Sequence, residues 1–208
     1  MNWLKLLIIK ENTMNKKELD NISKYISLIL RHKPETINIT LDAHGWANTN
    51  KLIVGIQDSG YPNFDFNTLD TIVKTDSKQR YSFNEDKTLI RANQGHSISV
   101  DVELHELTQE EINDIGILYH GTSTKFVESI NKNGILHMQR NYVQLSTNVD
   151  TAKTVASRHT RNNSSKVCIY LIDIKSMYKD GYKLYRSVNN VYLTKIVPPK
   201  YFIKTIVY

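Results

Sequence analysis

The stretch Leu118–Ser146 reads LYHGTSTKFVESINKNGILHMQRNYVQLS, and the rest of the chain is organised around it. It opens with a short apolar strand ending in His120-Gly121-Thr122. A helix-like run follows, with Phe126, Ile130 and Ile135 spaced among polar residues. After Arg140 a second strand runs from Tyr142 to Ser146. Strand, turn, helix and returning strand can make a cleft for a dinucleotide. Gly121 has no Cβ, so backbone there can approach a ligand closely. His120, Thr122 and Ser146 place donors and acceptors at the strand ends. Taken bare, a His-Gly-Thr tripeptide is equally an ordinary turn at the end of a strand.

Upstream, Lys16 to His32 has apolar residues Ile22, Tyr25, Ile26, Ile29 and Leu30 at helical spacing, which predicts an amphipathic helix. Pro34 disfavours helix in Lys33, so the helix ends on Arg31-His32. A basic helix end can simply compensate the helix dipole. Ile37 to Leu41 reads as a short strand, Asp42 to Gly45 as a turn, and Trp46 as core. Helices are predicted over Asn48 to Ile56 and Asn67 to Lys74, the latter capped by Asn67 or Thr68. Arg80 to Phe83 and Thr88 to Arg91 alternate and flank Asn84-Glu85-Asp86-Lys87, a hairpin pattern. Three helices and a hairpin are a winged-helix arrangement, which often meets nucleic acid, although fold alone proves no function. Thr108 and Glu111 have the spacing of a capping box. Downstream, the pattern predicts a helix over Asn148 to Arg158, a loop over His159 to Lys166, a buried strand over Val167 to Ile174, an Asp180-Gly181 turn, and a last strand over Ile203 to Tyr208. Asn190 can take a left-handed turn conformation.

The 208 residues suffice for two small lobes or one larger domain, and 40% hydrophobic residues can build a packed core. Cys168 is the one cysteine; it lies among Val167, Ile169 and Tyr170 and reads as an inert core thiol, a pattern that suits a reducing cytoplasm. The net charge of +6 is unevenly spread. Eleven Lys or Arg face only Asp173 and Asp180 from Thr151 onward, while Asp101 to Asp114 holds six acids and no Lys or Arg. Such an excess favours a polyanionic partner such as RNA. The apolar run Trp3 to Ile9 is too short to span a bilayer, and residues 1–13 read as an N-terminal extension.

The motifs together resemble the RNA 2'-phosphotransferase family, relatives of the ADP-ribosyl transferases, over roughly Met14 to Tyr208. That family carries a YHGT strand end and a GI-x-x-M-x-R-x-HVHLS run, here Gly134-Ile135, Met138, Arg140 and Tyr142-Val143-Gln144-Leu145-Ser146. Its two histidines are therefore Tyr142 and Gln144 in this chain. The family's LRH-x-P is matched at Leu30 to Pro34, its DxxGW at Asp42, Gly45 and Trp46, its K-x-R-[FY] at Lys78 to Tyr81, and its IRA-x-QGHS at Ile90 to Ser97. Its N-G-V-W-L becomes Asn189-Asn190-Val191-Tyr192-Leu193.

The resemblance implies an α+β fold: an N-terminal extension over 1–13, a winged-helix-like RNA lobe over 14–97, a linker over 98–117, and an ADP-ribosyl transferase-like, β-rich NAD lobe over 118–208. It implies NAD-dependent transfer of an RNA 2'-phosphate. The phosphate attacks the anomeric carbon of the NAD ribose and nicotinamide leaves. A ribose hydroxyl then attacks phosphorus, releasing 2'-OH RNA and ADP-ribose 1'',2''-cyclic phosphate. The catalytic set would be Arg31, His32, Arg80 and Arg140, and the NAD-binding set His120, Gly121, Thr122, Ser146, Arg91, Gln94, Gly95 and His96. Arginine forks suit a phosphate monoester because they pair with its oxygens and stay charged. His32 would donate to the phosphate or relay a hydroxyl proton. No metal is implied. The expected partner is 2'-phosphorylated RNA, with tRNA as the natural form, acted on by a cytoplasmic monomer. Two rivals remain. A protein ADP-ribosyl transferase would place a glutamate in the late strand near Asn189 to Thr194, where this chain has no acid. A non-catalytic RNA-binding module would have a broken arginine set.

Overall fold

A computed structural model describes residues 14–160 and 164–208; the expected extension over 1–13 lies outside the described residues. The chain folds α+β around two large apolar clusters. The first begins with α1 (Lys16–Arg31), whose Ile22, Ile26, Ile29 and Leu30 form one fully buried stripe. Asn15 and Glu18 cap each other's backbone at its start, so the helix begins where its first free N–H groups find side-chain oxygens. After a 3₁₀ turn at Pro34–Ile37 come β1 (Trp46–Asn48), α2 (Thr49–Asp58), α3 (Phe66–Thr75), β2 (Tyr81–Phe83) and β3 (Leu89–Ala92). The three strands form an antiparallel sheet in the order β1-β3-β2. Leu52, Ile56, Phe64, Leu69 and Ile90 close on α1 to complete the first cluster.

The second cluster is built mainly from strands. β4 (His105–Glu106) and α4 (Gln109–Ile115) precede β5 (Ile117–Ser123), α5 (Val127–Asn133), β6 (Ile135–Leu136) and β7 (Val143–Leu145). Then follow α6 (Val149–Ala156), β8 (Val167–Asp173), α7 (Ile174–Lys179), β9 (Tyr185–Arg186), β10 (Tyr192–Thr194), β11 (Ile196–Val197) and β12 (Phe202–Val207). They form sheets in the orders β4-β9-β10-β7, β11-β6 and β12-β8-β5, all antiparallel. A bridge between Tyr119 and Ser146 ties β5 to the end of β7. Leu118, Leu145, Tyr170, Ile172 and Met177 are the heart of this cluster, and Leu107 and Ile112, from the stretch read as a linker, are buried in it. Thr108 and Glu111 form the expected capping box at α4.

Several local expectations are corrected. Ile37 to Leu41 is not a strand: Pro34 opens a 3₁₀ turn, and Asn38 leaves it with a left-handed φ of 54°. Trp46 is half-buried rather than core and starts β1, which had no alternation to reveal it. Asp65, not Asn67 or Thr68, caps α3 through the Thr68 N–H. The helix after the central turn stops at Asn133, so Ile135 belongs to β6. Ile174 starts α7, with Asp173 as its cap, instead of ending a strand. Asn190 does take a positive φ, 56°. Cys168 is fully buried, and burial pushes its thiol up. Among the described residues no helix is long and apolar enough to cross a membrane.

Candidate functional site

The seam between the two clusters is polar. The N–H of Ser97 donates to the Arg31 carbonyl at 3.0 Å, and the N–H of Asn141 to the His96 carbonyl at 2.9 Å. Asn141 Nδ2 donates to the Ile98 carbonyl at 2.9 Å, and Asn189 Nδ2 reaches across to the Lys78 carbonyl at 2.9 Å. These bonds set the end of α1, the Gln94–Ser97 segment, the start of β2 and the Arg140–Gln144 segment side by side.

Arg31, on the last turn of α1, is the most constrained of the candidates. Its Nε and Nη2 are buried and have no hydrogen-bond partner among the described residues. Burial first, then the charges of Arg140 and Arg80, lower its pKa to about 10, while Tyr81 and Asp76 oppose the fall. An unpaired buried guanidinium is costly, and the cost is relieved only by an anion. Arg80 is held by Asp76: Nη1 donates to Oδ1 at 2.6 Å and the backbone N–H to Oδ2 at 2.7 Å. Asp76 ends α3 and is itself nearly buried. Arg140 Nη1 donates to Gln144 Oε1. Partial burial lowers the Arg140 pKa, and Arg158 lowers it further. His32 Nδ1 meets Ser97 Oγ at 2.9 Å; burial, Arg31 and Arg140 all push it below the usual imidazole range, so it is largely neutral at pH 7. Arg31, His32, Arg80 and Arg140, from three separate segments, therefore share one field of positive charge.

The expected NAD-binding residues divide. His120 donates through Nδ1 to the Gln144 carbonyl at 3.1 Å, since a carbonyl can only accept; its Nε2 is then the acceptor of the neutral ring. Burial lowers its pKa. Ser146 accepts from the Asn148 N–H at 3.0 Å and organises the start of α6, while Thr122 is buried at the strand end. Gly95, at φ +89°, lies against Gln144 and Arg31: a Cβ there would stand 3.2 Å from Gln144 Nε2 and 3.7 Å from Arg31 Nη1. Gln94 Oε1 accepts from Gln144 Nε2. His96 is 3% exposed, its Nε2 has no partner among the described residues, and burial with Arg31, His32 and Arg91 lowers its pKa to about 4.

Two residues have partners that sequence reading did not foresee. Gly121 is needed by the fold: a Cβ there would overlap the Ala152 carbonyl of α6, so the close approach it permits is by a helix rather than a ligand. Arg91 is occupied, stacked 4.4 Å from the Trp46 ring centre and paired with Glu103 at 3.1 Å. Four functional neighbours were missed. Asp76 aims Arg80. Asn93 accepts from Ser82 Oγ at 2.8 Å and donates to the Gln79 carbonyl at 2.7 Å, fixing the strands around Arg80. Lys78 and Arg158 extend the cationic field, each perturbing or perturbed by the arginines beside it. Lys78 could have been found as the first residue of the K-x-R motif. Arg158 carried only the weak sign of a basic helix end. Among the described residues no cluster of His, Cys, Asp and Glu is placed to hold a metal ion.

A cluster of cationic side chains with unpaired buried donors on Arg31, set on an α+β scaffold, is chemistry suited to an anionic ligand. Comparison with known proteins agrees: the family model "RNA 2'-phosphotransferase, Tpt1 / KptA family" matches residues 17–196. Proteins named "Probable RNA 2'-phosphotransferase" are similar in Fusobacterium nucleatum (53% identical over 180 residues, 86% of this chain and 95% of the relative) and in Flavobacterium johnsoniae (46% over 188 residues, 90% and 97%). Another, from Escherichia coli O9:H4, is 40% identical over 184 residues, 88% of this chain and 94% of its own length. The chain belongs to the RNA 2'-phosphotransferase family, a family of transferases.

Proposed function

We propose that this protein removes a 2'-phosphate from RNA by transferring it to NAD, through an ADP-ribosylated phosphate, to give 2'-OH RNA, nicotinamide and ADP-ribose 1'',2''-cyclic phosphate. In this reading residues 14–97 are the winged-helix-like RNA lobe and 118–208 the ADP-ribosyl transferase-like NAD lobe, with 98–117 joining them and its β4 and α4 packed on the second cluster. The observation that carries it is Arg31: a buried guanidinium with two donors unpaired, beside Arg80, Arg140 and a neutral His32. Such a pocket favours a small polyanion, and a phosphate monoester brings close to two charges and three acceptor oxygens.

The roles follow from the chemistry each side chain can do. Asp76 keeps Arg80 in one orientation, and Gln144 does the same for Arg140, so both forks are set before the phosphate arrives. Arg31 supplies charge-assisted hydrogen bonds that cost no further desolvation, because its donors are already buried. These donors gain most when charge builds on the phosphorus oxygens in the second displacement. Neutral His32 can accept a hydroxyl proton at one ring nitrogen while Ser97 holds the other. The residues fit a dinucleotide co-substrate: His120 Nε2 is an acceptor for a ribose hydroxyl or an amide, and His96 Nε2 is a further buried polar atom with no partner among the described residues. NAD would supply the sugar carbon to which the phosphate is transferred.

The test is incubation with labelled NAD and a 2'-phosphorylated oligonucleotide. Cyclic ADP-ribose phosphate and a 2'-OH product support the reading. Labelled protein, or a stable ADP-ribosyl group left on another acceptor such as a terminal phosphate, would replace it with a general ADP-ribosyl transferase. The natural RNA is expected to be tRNA, and deacylated tRNA carrying a splice-junction 2'-phosphate is the substrate to try next.

A further inference from the structure

Gln144 stands where the family run carries its second histidine, and its side chain reaches across the seam to Gln94. It pairs with Leu193 in the middle of β7, so its backbone is fixed by the sheet. Val143 and Leu145 on either side are buried in the second cluster, and strand alternation sends the Gln144 side chain to the opposite face. There Oε1 accepts from Arg140 Nη1 and Nε2 donates to Gln94 Oε1. The Gln144 carbonyl accepts from His120 Nδ1 at 3.1 Å. One residue thus joins the phosphate-facing Arg140, the NAD-side His120 and the Gln94-Gly95 segment of the other half.

We propose that Gln144 is a positioning residue for the reaction above, holding Arg140 toward the phosphate with an amide that adds no charge to the cationic seam. The inference rests on the proposed reaction for its role and on the hydrogen bonds for its geometry. A primary amide suits the place because it accepts at one end and donates at the other, in one plane, at any pH. The charged and titratable groups around it are Arg140 with Arg158 beyond it, Arg31 and His32 at the end of α1, His96 on the connecting segment and His120 on β5. All of these are cationic when protonated. A titratable side chain at 144 that picked up a proton would add one more positive charge and would lose its only acceptor for Arg140.

A double-mutant cycle on Arg140 and Gln144 separates positioning from general structural support. Binding of a 2'-phosphorylated trinucleotide and the single-turnover rate with NAD are measured for wild type, Gln144→Ala, Arg140→Ala and the double variant. Gln144→Ala is expected to slow turnover by about 10–100-fold, as a loosened catalytic group does. In the Arg140→Ala background the same change should cost less than about twofold, because the group it positions is gone. Full additivity would overturn the inference. Gln144→His gives a second measurement should the alanine variant fold poorly. Relative to wild type at pH 8 it should be within a few-fold, because a neutral imidazole can still accept from Arg140. A loss as large as that of Gln144→Ala counts against the inference. If wild type binds the trinucleotide but forms no cyclic product, the proposed reaction fails while the binding cycle still decides the part played by Gln144.

Discussion

Removing the charge of Arg31 should stabilise the protein while destroying its site. The folded state holds this guanidinium with Nε and Nη2 buried and unpaired, and with Arg140 and Arg80 nearby. Its pKa falls to about 10, burial being the larger cause. A base whose pKa drops on folding costs stability wherever it is charged in both states. Here that means every pH below about 10, with relief only as pH climbs from there into the ordinary arginine range. At about 1.4 kcal/mol per tenfold change in protonation constant, the cost is roughly 3 kcal/mol at neutral pH. Arg31→Met keeps most of the aliphatic stem at the last turn of α1. Allowing for packing lost, the expected gain is about 1–3 kcal/mol, worth roughly 2–4 °C in Tm per kcal/mol at this size. The assay is urea unfolding followed by circular dichroism, in chloride and then with added phosphate. Phosphate at a hundred times its Kd should stabilise wild type by about 2.7 kcal/mol and leave Arg31→Met unmoved. A variant less stable than wild type in phosphate-free buffer would refute the reasoning, because the guanidinium would then be satisfied in a way the structure does not contain.

Arg140→Ala should reduce the rate of cyclic product formation by roughly 10²–10³, about 2.7–4 kcal/mol of barrier, by analogy with loss of one electrostatic donor; single-turnover kinetics at saturating NAD would measure it, and a wild-type rate would exclude Arg140 from the chemistry. Gly121→Ala places a Cβ on the Ala152 carbonyl of α6. Backbone cannot yield as a side chain can, so the loss should reach about 3 kcal/mol or more in denaturant unfolding, and a loss below about 0.5 kcal/mol would show that α6 slides freely on β5. His96, with a pKa lowered to about 4, stays neutral in the folded protein where the unfolded chain is already protonated. Its contribution is fully present above the ordinary histidine range and is lost as pH falls toward 4, with a total of about 3 kcal/mol. Unfolding midpoints measured from pH 7 to pH 4 should therefore fall less steeply in His96→Gln than in wild type.

The elements legible in the sequence are those whose evidence is local. α1 carries four buried isoleucines and leucines at helical spacing together with a reciprocal Asn15–Glu18 cap, and both lie within the helix and the one residue before it. The hairpin of β2 and β3 is bounded by polar turn residues, and the Thr108–Glu111 box needs only four positions. β1, β6 and β11 are two or three residues long and exist only through distant pairings: Trp46 with Arg91, Ile135 with Val197. Nothing local distinguishes them from loop. Ile135 lies five residues after Ile130, off the helical step, and Gly134, at φ +81°, marks the break between α5 and β6.

The site was legible as residue types but not as an arrangement. Arg31-His32, Arg80 and Arg140 were readable through motifs, whereas their mutual repulsion arises only once the two apolar clusters meet. The same meeting explains why Asp76 escaped notice: an aspartate at a helix end usually faces water, and here it is nearly buried because Arg80 folds back onto it. Polar bonds rather than apolar packing hold the seam, through Ser97 and Arg31, Asn141 and His96, and Asn189 and Lys78. Arg31, Lys78, Arg80, Arg140 and Arg158 gather beside those bonds with Asp76 as the acid between them. If the proposed site is right, repulsion across the seam weakens the contact between the halves in the empty protein, and one bound phosphate would relieve cations contributed by both. Affinity for the substrate and cohesion of the protein would then be the same free energy, measured from two sides.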